Sequence, residues 1–296
     1  MSLPSISVIN FFTDLTDQEV QKAIRAVNRQ VVEDFAPIWG SAYILRLHAA
    51  NFDPADSASL AEEAVRGEAV IYLVDEATVS GALGFHDLNA SEMSVGFVFF
   101  DANEWTVTLS HETLELIIDP TTNILVPGPD PRDPTNLALH AYEVCDAVER
   151  TSYQIDHTFV SNFLTPSYFA EGDALGTRND FLGVGVPSFG VTRNSHIAFF
   201  DLSIADWVTV LGEMKPTMAQ FAKRAVQYDR ARPDRSDEKL EGILDSYHSN
   251  PHPKCTQLKR KGLRDLKGIT RLSRYKASAE RMMPFLKEGG RKGTRS

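Results

Sequence analysis

A stretch near the middle of the chain carries residue types that can bind a metal ion and activate water. Residues 108–120 read TLSHETLELIIDP and include His111, Glu112, Glu115 and Asp119. The core of the stretch is His-Glu-x-x-Glu. Imidazole and carboxylate groups are ligands of divalent cations, so these residue types predict a metal site.

The spacing of these residues suits a helix. At about 100° per residue, His111, Glu115 and Asp119 drift by only about 40° per step and form one polar stripe. Leu114 and Ile117 lie on an adjacent face, which suits packing on a core. The polar stripe is therefore expected at the margin of the core, where a partly dry site can form.

The two ends of the predicted helix follow from capping rules. Ser110 is the expected N-cap, and Pro120 marks the expected end. Glu112 then falls in the first turn, where a carboxylate suits the helix dipole.

Two ligands one turn apart can hold one divalent cation when a third comes from elsewhere in the chain. His111 and Glu115 are the candidate ligands on this helix. Glu112 lies beside the first ligand but points away from it, so it is the candidate general base for metal-bound water. The expected ion is Zn²⁺ or another divalent cation, because carboxylates also suit calcium and manganese. The opposing interpretation is a helix with an acidic, solvated face.

The elements before this helix indicate an α+β fold. Thr16 and Glu19 form a capping box that opens an amphipathic helix, which ends near Pro37. Apolar, β-branched and alternating segments predict strands at residues 6–12, 42–47, 69–74, 82–86 and 94–100. The order is therefore strand, helix, several strands and a second helix.

Downstream, residues 123–136 are rich in proline, aspartate and glycine and are predicted to form a loop without regular structure. Residues 137–149 are predicted to form a second acidic helix. A strand pair is expected around 153–166. His196 begins a last strand; it could approach the metal, but as a strand histidine without an evident partner it is interpreted as structural. Cys145 is interpreted as a small buried residue rather than a metal ligand.

Four segments together resemble a group of bacterial and phage proteins with a zincin-like core and no established substrate. They are Ser-His-Glu-x-Leu-Glu, Asp-Pro, Tyr-Glu-Val-Cys-Asp-x-Val-Glu and Val-Ser-Asn-Phe-x-Thr-Pro-x-Tyr-Phe, and the resemblance spans about residues 5–200. It implies a zincin-like twisted mixed sheet with the motif helix beneath it. It also implies an edge strand along the substrate cleft, for which 94–100 is the candidate.

The resemblance extends to the metal ligands. In zincins with a glutamate third ligand, that residue lies on a helix tens of residues after the motif, which implies Glu143 here. Asp119 or Asp146 could take its place, and Asp146 could instead orient His111. The chain departs from the zincin pattern at Glu115, where those enzymes have a second histidine.

Charge is distributed unevenly along the 296 residues. Residues 251–296 hold 14 of the 30 Lys and Arg and only 3 of the 40 Asp and Glu, a net +11, which leaves −21 on the rest. The predicted organisation is a zincin-like α+β domain over 1–202, a mostly helical extension over 203–250 and a basic, partly disordered tail over 251–296. Residues 254–296 could bind nucleic acid, an acidic protein surface or the chain's own acidic body.

The composition also indicates in which compartment the protein is expected. Two cysteines do not make a disulfide framework, so a reducing compartment is the simpler expectation. No signal peptide and no apolar run of membrane-spanning length is visible. We therefore expect a cytoplasmic location in a bacterium or phage-infected host, or a place in the virion, and no membrane partner.

Two functions remain open from the sequence. The first is a metal-dependent hydrolase, a zincin-like peptidase whose substrate is a peptide or protein. The second is a non-enzymatic structural or assembly protein, such as a component of a phage particle, whose basic tail binds nucleic acid or a neighbouring subunit. The missing second histidine of the motif favours the second function.

Overall fold

The computed structural model describes residues 3–48, 68–75, 83–88, 93–170, 172 and 177–212. The chain is an α+β protein in which a five-stranded sheet and a four-stranded sheet accompany few helices. The predicted extension beyond residue 212 and the predicted basic tail lie outside the described residues. Among the residues described, no helix is both long enough and apolar enough to cross a membrane.

The five-stranded sheet carries the amino-terminal half of the protein. Its strands are β1 (Ser5–Asn10), β2 (Ile44–His48), β3 (Ala69–Val74), β4 (Gly84–Leu88) and β5 (Ser94–Phe99). They are ordered β2-β1-β3-β5-β4, and only β4 runs antiparallel to its neighbour. Strands β1, β3 and β5 are buried along almost their whole length, as expected for strands covered on both faces, whereas β2 is partly exposed.

The edge strand differs from the one expected. Strand β5 pairs with β3 on one side and with β4 on the other, so it lies inside the sheet. Among the strands that the structure describes, β4 is the edge strand nearest the motif helix. Strand β5 is buried along its whole length, which suits an interior strand and explains why the expectation for 94–100 is wrong.

Helix α1 (Asp17–Arg29) begins at the predicted capping box, in which Thr16 and Glu19 satisfy each other's backbone N–H groups. It buries an apolar stripe against the sheet, including Val20, Ile24 and Val27. A π-helical segment (Gln30–Phe35) and the short helix α2 (Ala36–Trp39) continue it. The widened turn begins at Gln30, whose buried side chain contacts the motif helix.

The motif helix α3 (Trp105–Ile118) packs against β4, β5 and a later strand, β9 (Thr158–Ser161). It begins five residues before the expected Ser110, because Asp101 accepts the N–H groups of Asn103 and Glu104 and starts the first turn. Ser110 is buried in mid-helix and donates to Oε1 of Gln30 at 2.6 Å. The helix is almost wholly buried, contrary to an acidic solvated face.

The second sheet forms where a loop and a helix were predicted. Strands β6 (Leu125–Asp130) and β7 (Asp133–Ala141) make a hairpin, extended by β10 (His196–Asp201) and β11 (Asp206–Leu211) in the order β6-β7-β10-β11. Prolines are tolerated in β6 because it is an edge strand, where a missing N–H costs no ladder bond. Pairing of β7 with both neighbours overrides the helical propensity of its leucine and alanine residues.

The remaining elements are short. A 3₁₀ turn (Asp146–Val148) follows β7 and packs against β10, so the acidic segment is a turn rather than a helix. Strands β8 (Ser152–Ile155) and β9 (Thr158–Ser161) form the expected strand pair, and a second 3₁₀ turn covers Pro166–Phe169. The mostly helical extension predicted over 203–250 is wrong over Asp206–Leu211, where β11 lies, and its part beyond residue 212 is outside the described residues.

Candidate metal centre

Helix α3 places the two motif ligands as their spacing predicts. Nε2 of His111 lies 3.3 Å from Oε2 of Glu115, one turn further along the helix. The His111 side chain is 14% exposed and that of Glu115 is 1% exposed, so the pair reaches from the surface into the core. The backbone N–H of Cys145 donates to Oε1 of Glu115 at 3.2 Å, which leaves Oε2 directed at the histidine.

Asp146 completes a group of three. The 3₁₀ turn brings its Oδ1 to 3.2 Å from Nε2 of His111. One donor atom each from His111, Glu115 and Asp146 lies within 4.8 Å of both others. Ligand bonds of about 2.0–2.2 Å at tetrahedral angles separate neighbouring donor atoms by about 3.3–3.6 Å. The observed separations are close to that spacing, so these three residues fit a divalent cation.

His196 lies behind Asp146, although the sequence indicated no partner for it. Its Nε2 is 3.1 Å from Oδ2 of Asp146, and its Nδ1 is 3.2 Å from Oε1 of Glu149. Asp146 therefore stands between two histidines, with one oxygen toward each. A carboxylate held in this way has a defined orientation, which is the role that outer partners have in metal sites.

The electrostatics of this group follow from burial and pairing. Burial acts to lower the pKa of His111, but the Glu115 and Asp146 carboxylates outweigh it and hold that pKa well above its usual value. Burial likewise acts on His196, whose pKa the Asp146 and Glu149 carboxylates raise. Burial would raise the pKa of Asp146, but His196 and His111 hold it well below the usual range. In this group the two imidazoles face three carboxylates, those of Glu115, Asp146 and Glu149.

Cys145 lies beside the centre, where its backbone N–H donates to Glu115. Its side chain is fully buried, which agrees with the interpretation of Cys145 as a small buried residue. Burial raises the pKa of the thiol well above its usual value, and the nearby Glu115 carboxylate adds to the effect.

The Glu112 side chain contacts strand β4 rather than the turn that carries Asp146. Its Oε2 lies 3.2 Å from Nδ1 of His86, and both side chains are buried. A Cβ added to Gly84 would lie 2.9 Å from Oε1 of Glu112 and 2.6 Å from Cγ2 of Thr108. Glycine at this position therefore lets β4 approach α3 closely enough for His86 to reach the motif.

His86 also contacts the other carboxylates of the centre. Its Nδ1 is 3.6 Å from Oε2 of Glu115, and its Nε2 is 3.8 Å from Oε2 of Glu143. The sequence analysis did not identify His86 as a site residue. A histidine in an alternating strand carries no local signal of function, and its placement depends on β4 being the edge strand.

The other two candidate ligands have different positions. Glu143 is buried and lies beside His86, in the segment between β7 and the 3₁₀ turn, instead of completing the group around His111. Asp119 ends helix α3, and its carboxylate accepts the N–H groups of Asn123 at 3.1 Å and Ile124 at 2.9 Å. These two hydrogen bonds give the buried Asp119 carboxylate a structural role in the turn that follows the helix.

Comparison with known proteins adds no family. No protein-family model matches the chain, and no curated protein matches it. A solved structure described as "Structure of a chaperone-substrate complex" is similar over 45% of this chain and 27% of its own, with 16% identity and a TM-score of 0.28. The chain thus spans about a quarter of that neighbour's length, and the likeness is too slight to define the fold.

Proposed function

We propose that this protein is a metal-dependent hydrolase with a zincin-like fold, and that His111, Glu115 and Asp146 hold its metal ion. The observation that carries the proposal is the close approach of three donor atoms from a helix and a separate turn. Oε2 of Glu115 lies 3.3 Å from Nε2 of His111, and Oδ1 of Asp146 lies 3.2 Å from the same nitrogen. Asp146 takes the position of third ligand in preference to Glu143. Zinc, or another divalent cation that accepts one imidazole and two carboxylates, suits this set.

A divalent cation bound here would polarise a substrate carbonyl and lower the pKa of a water molecule. Residues of the chain accept the proton of that water and exclude bulk solvent. Glu112 follows the first ligand in sequence and offers a carboxylate that accepts the proton of that water. The pairing of Glu112 with His86 orients the carboxylate, and the buried setting of both excludes bulk solvent from the proton transfer.

The substrate class proposed is a peptide or protein. The support is the antiparallel strand β4, the edge strand among the described strands of its sheet, which borders helix α3 and carries His86 into the centre. An extended peptide can add to the edge of a sheet through its backbone N–H and C=O groups.

The metal content of the purified protein tests the proposal. The full chain, prepared without affinity-tag histidines, should retain a divalent cation that the His111→Ala and Asp146→Ala variants lose. His157→Asn is the matched control, because His157 is exposed on the β8–β9 turn with φ of 64°. Wild-type protein that takes up no divalent cation from either Zn²⁺ or Mn²⁺ solutions would overturn the proposal.

Turnover of an unfolded protein substrate tests the role given to Glu112. The Glu112→Gln variant should keep the ion at His111 and lose hydrolysis, whereas Glu104→Gln at the start of the same helix should keep both. Undiminished hydrolysis by Glu112→Gln would remove the general-base role.

The second candidate is a non-enzymatic structural or assembly protein. The observation that favours it is the net +11 of residues 251–296 against −21 on the rest of the chain. A basic segment of this kind binds phosphates or acidic protein surfaces with a strong dependence on salt. Binding to DNA or RNA that survives removal of residues 251–296 would count against it.

A further inference from the structure

A second group of metal-binding side chains lies beside the first. Nδ1 of His86 is 3.2 Å from Oε2 of Glu112 and 3.6 Å from Oε2 of Glu115. One donor atom from each of these three residues lies within 4.8 Å of the other two. All three side chains are at least nine-tenths buried, and they come from two elements, β4 and α3.

The two groups meet at one atom. Oε2 of Glu115 is 3.3 Å from Nε2 of His111 and 3.6 Å from Nδ1 of His86. Its other oxygen accepts the N–H of Cys145, so Oε2 is the oxygen that faces both histidines. A carboxylate oxygen with an imidazole nitrogen of a different group on either side is placed to bridge two cations, which lie about 3.5–4 Å apart in two-metal sites.

The excess of carboxylates at the centre also favours a second cation. The ion pairs that connect it join three histidines, His86, His111 and His196, to five carboxylates. Those carboxylates are Glu112, Glu115, Glu143, Asp146 and Glu149. Even with every imidazole protonated, the carboxylates of this group outnumber the histidines by two. Four of these carboxylates are buried, whereas Glu149 is partly exposed. Ionised carboxylates in a protein interior need compensating cations, and two divalent cations supply four positive charges for the four buried carboxylates while every imidazole stays neutral and free to ligate.

We propose that His86, Glu112 and Glu115 bind a second divalent cation, with Glu115 shared between the two ions. Oε2 of Glu143 lies 3.8 Å from Nε2 of His86, the ring nitrogen that is not directed at Glu112. This second-site proposal rests on the proposed function because Glu115 serves both ions. It also adds regulation to that function. An ion bound by this group takes the Glu112 carboxylate as a ligand, so Glu112 can no longer accept a proton from water. An ion in the second site would therefore inhibit the proposed hydrolysis.

Equilibrium dialysis of the metal-free full chain against Mn²⁺ counts the ions. We expect two equivalents on the wild type and on His157→Asn, one on His86→Ala and one on His111→Ala. A second variant, His86→Gln, keeps a polar side chain in the pocket and guards against loss of fold, and circular dichroism verifies each protein. The paramagnetic resonance spectrum of the wild type with two Mn²⁺ should show exchange coupling that is absent with one, and this needs no variant.

The outcomes separate this proposal from the proposed function. One ion on the wild type that is lost in His111→Ala and kept in both His86 variants overturns the second site and leaves the hydrolase proposal standing. One ion that is lost in the His86 variants and kept in His111→Ala supports the second group and overturns the first. Two ions without exchange coupling overturn the shared Glu115, and no bound ion overturns both proposals.

Discussion

Nε2 of His111 lies 3.2 Å from Oδ1 of Asp146, although a hairpin of the second sheet separates the two residues along the chain. Helix α3 supplies the histidine, and the turn after β7 supplies the carboxylate. This contact converts a helical pair into a three-residue centre. The predictions below test that centre and the elements that position it.

Replacement of Asp146 by Asn should weaken metal binding at His111 by tenfold or more, because an amide oxygen is a neutral and weaker ligand than a carboxylate. Competition with a chromophoric chelator measures the affinity. Asp206→Asn, an exposed position at the start of β11, is the control and should leave the affinity unchanged. Equal affinities for wild type and Asp146→Asn would exclude Asp146 as a ligand.

His196→Ala should lower the metal affinity by about 10–100-fold without removing a ligand, because it releases Oδ2 of Asp146. His196→Gln should recover part of the loss, since its amide can still donate to that oxygen. The same titration gives the result. A loss in His196→Ala equal to that in His111→Ala would instead make His196 a direct ligand.

Gly84→Ala should destabilise the protein by about 1–3 kcal/mol, the usual cost of overpacking a well-packed core. The new methyl group would meet Cγ2 of Thr108 at 2.6 Å and the carbonyl oxygen of Phe97 at 2.7 Å. Urea unfolding measures the change. Adding Thr108→Ser, which removes the Cγ2 atom, should restore part of the stability, and Thr108→Ser alone is the control. A neutral Gly84→Ala would contradict the close approach of β4 to α3.

The buried His140 should make the protein less stable in mild acid. Burial lowers the pKa of His140 to about 4, against 6.5 for an ordinary histidine, although its contact with the carbonyl of Pro129 opposes the shift. The unfolded chain therefore takes up a proton at a higher pH than the native protein. The contribution to stability is complete above pH 6.5 and is lost as the pH falls toward 4, by about 3 kcal/mol.

Urea unfolding of wild type and His140→Gln at several pH values isolates this contribution, since the carboxylates titrate in both proteins. The wild type should lose more stability than the variant between pH 7 and pH 4. Parallel curves would show that the native pKa of His140 is close to that of the unfolded chain.

Local rules predicted the elements whose signals lie within a few residues. The capping box of Thr16 and Glu19 begins α1, and the strands before the motif helix lie close to their expected positions. The separation of His111 and Glu115 by one helical turn also depends on the helix alone, and the structure places the two together. For these features the sequence by itself was enough.

The tertiary structure decided the rest. Leucine, alanine and glutamate favour a helix over residues 137–149, but β7 gains strand partners on both sides, which no local propensity reports. Asp146 was a candidate ligand, but it was predicted to lie on a helix. It reaches His111 because the 3₁₀ turn that carries it packs on β10. His86 and His196 join the centre only because β4 is the edge strand and β10 lies under the turn. Which strand is an edge and which turn meets a helix depend on pairings between distant segments, so neither histidine carries that information in its own neighbourhood.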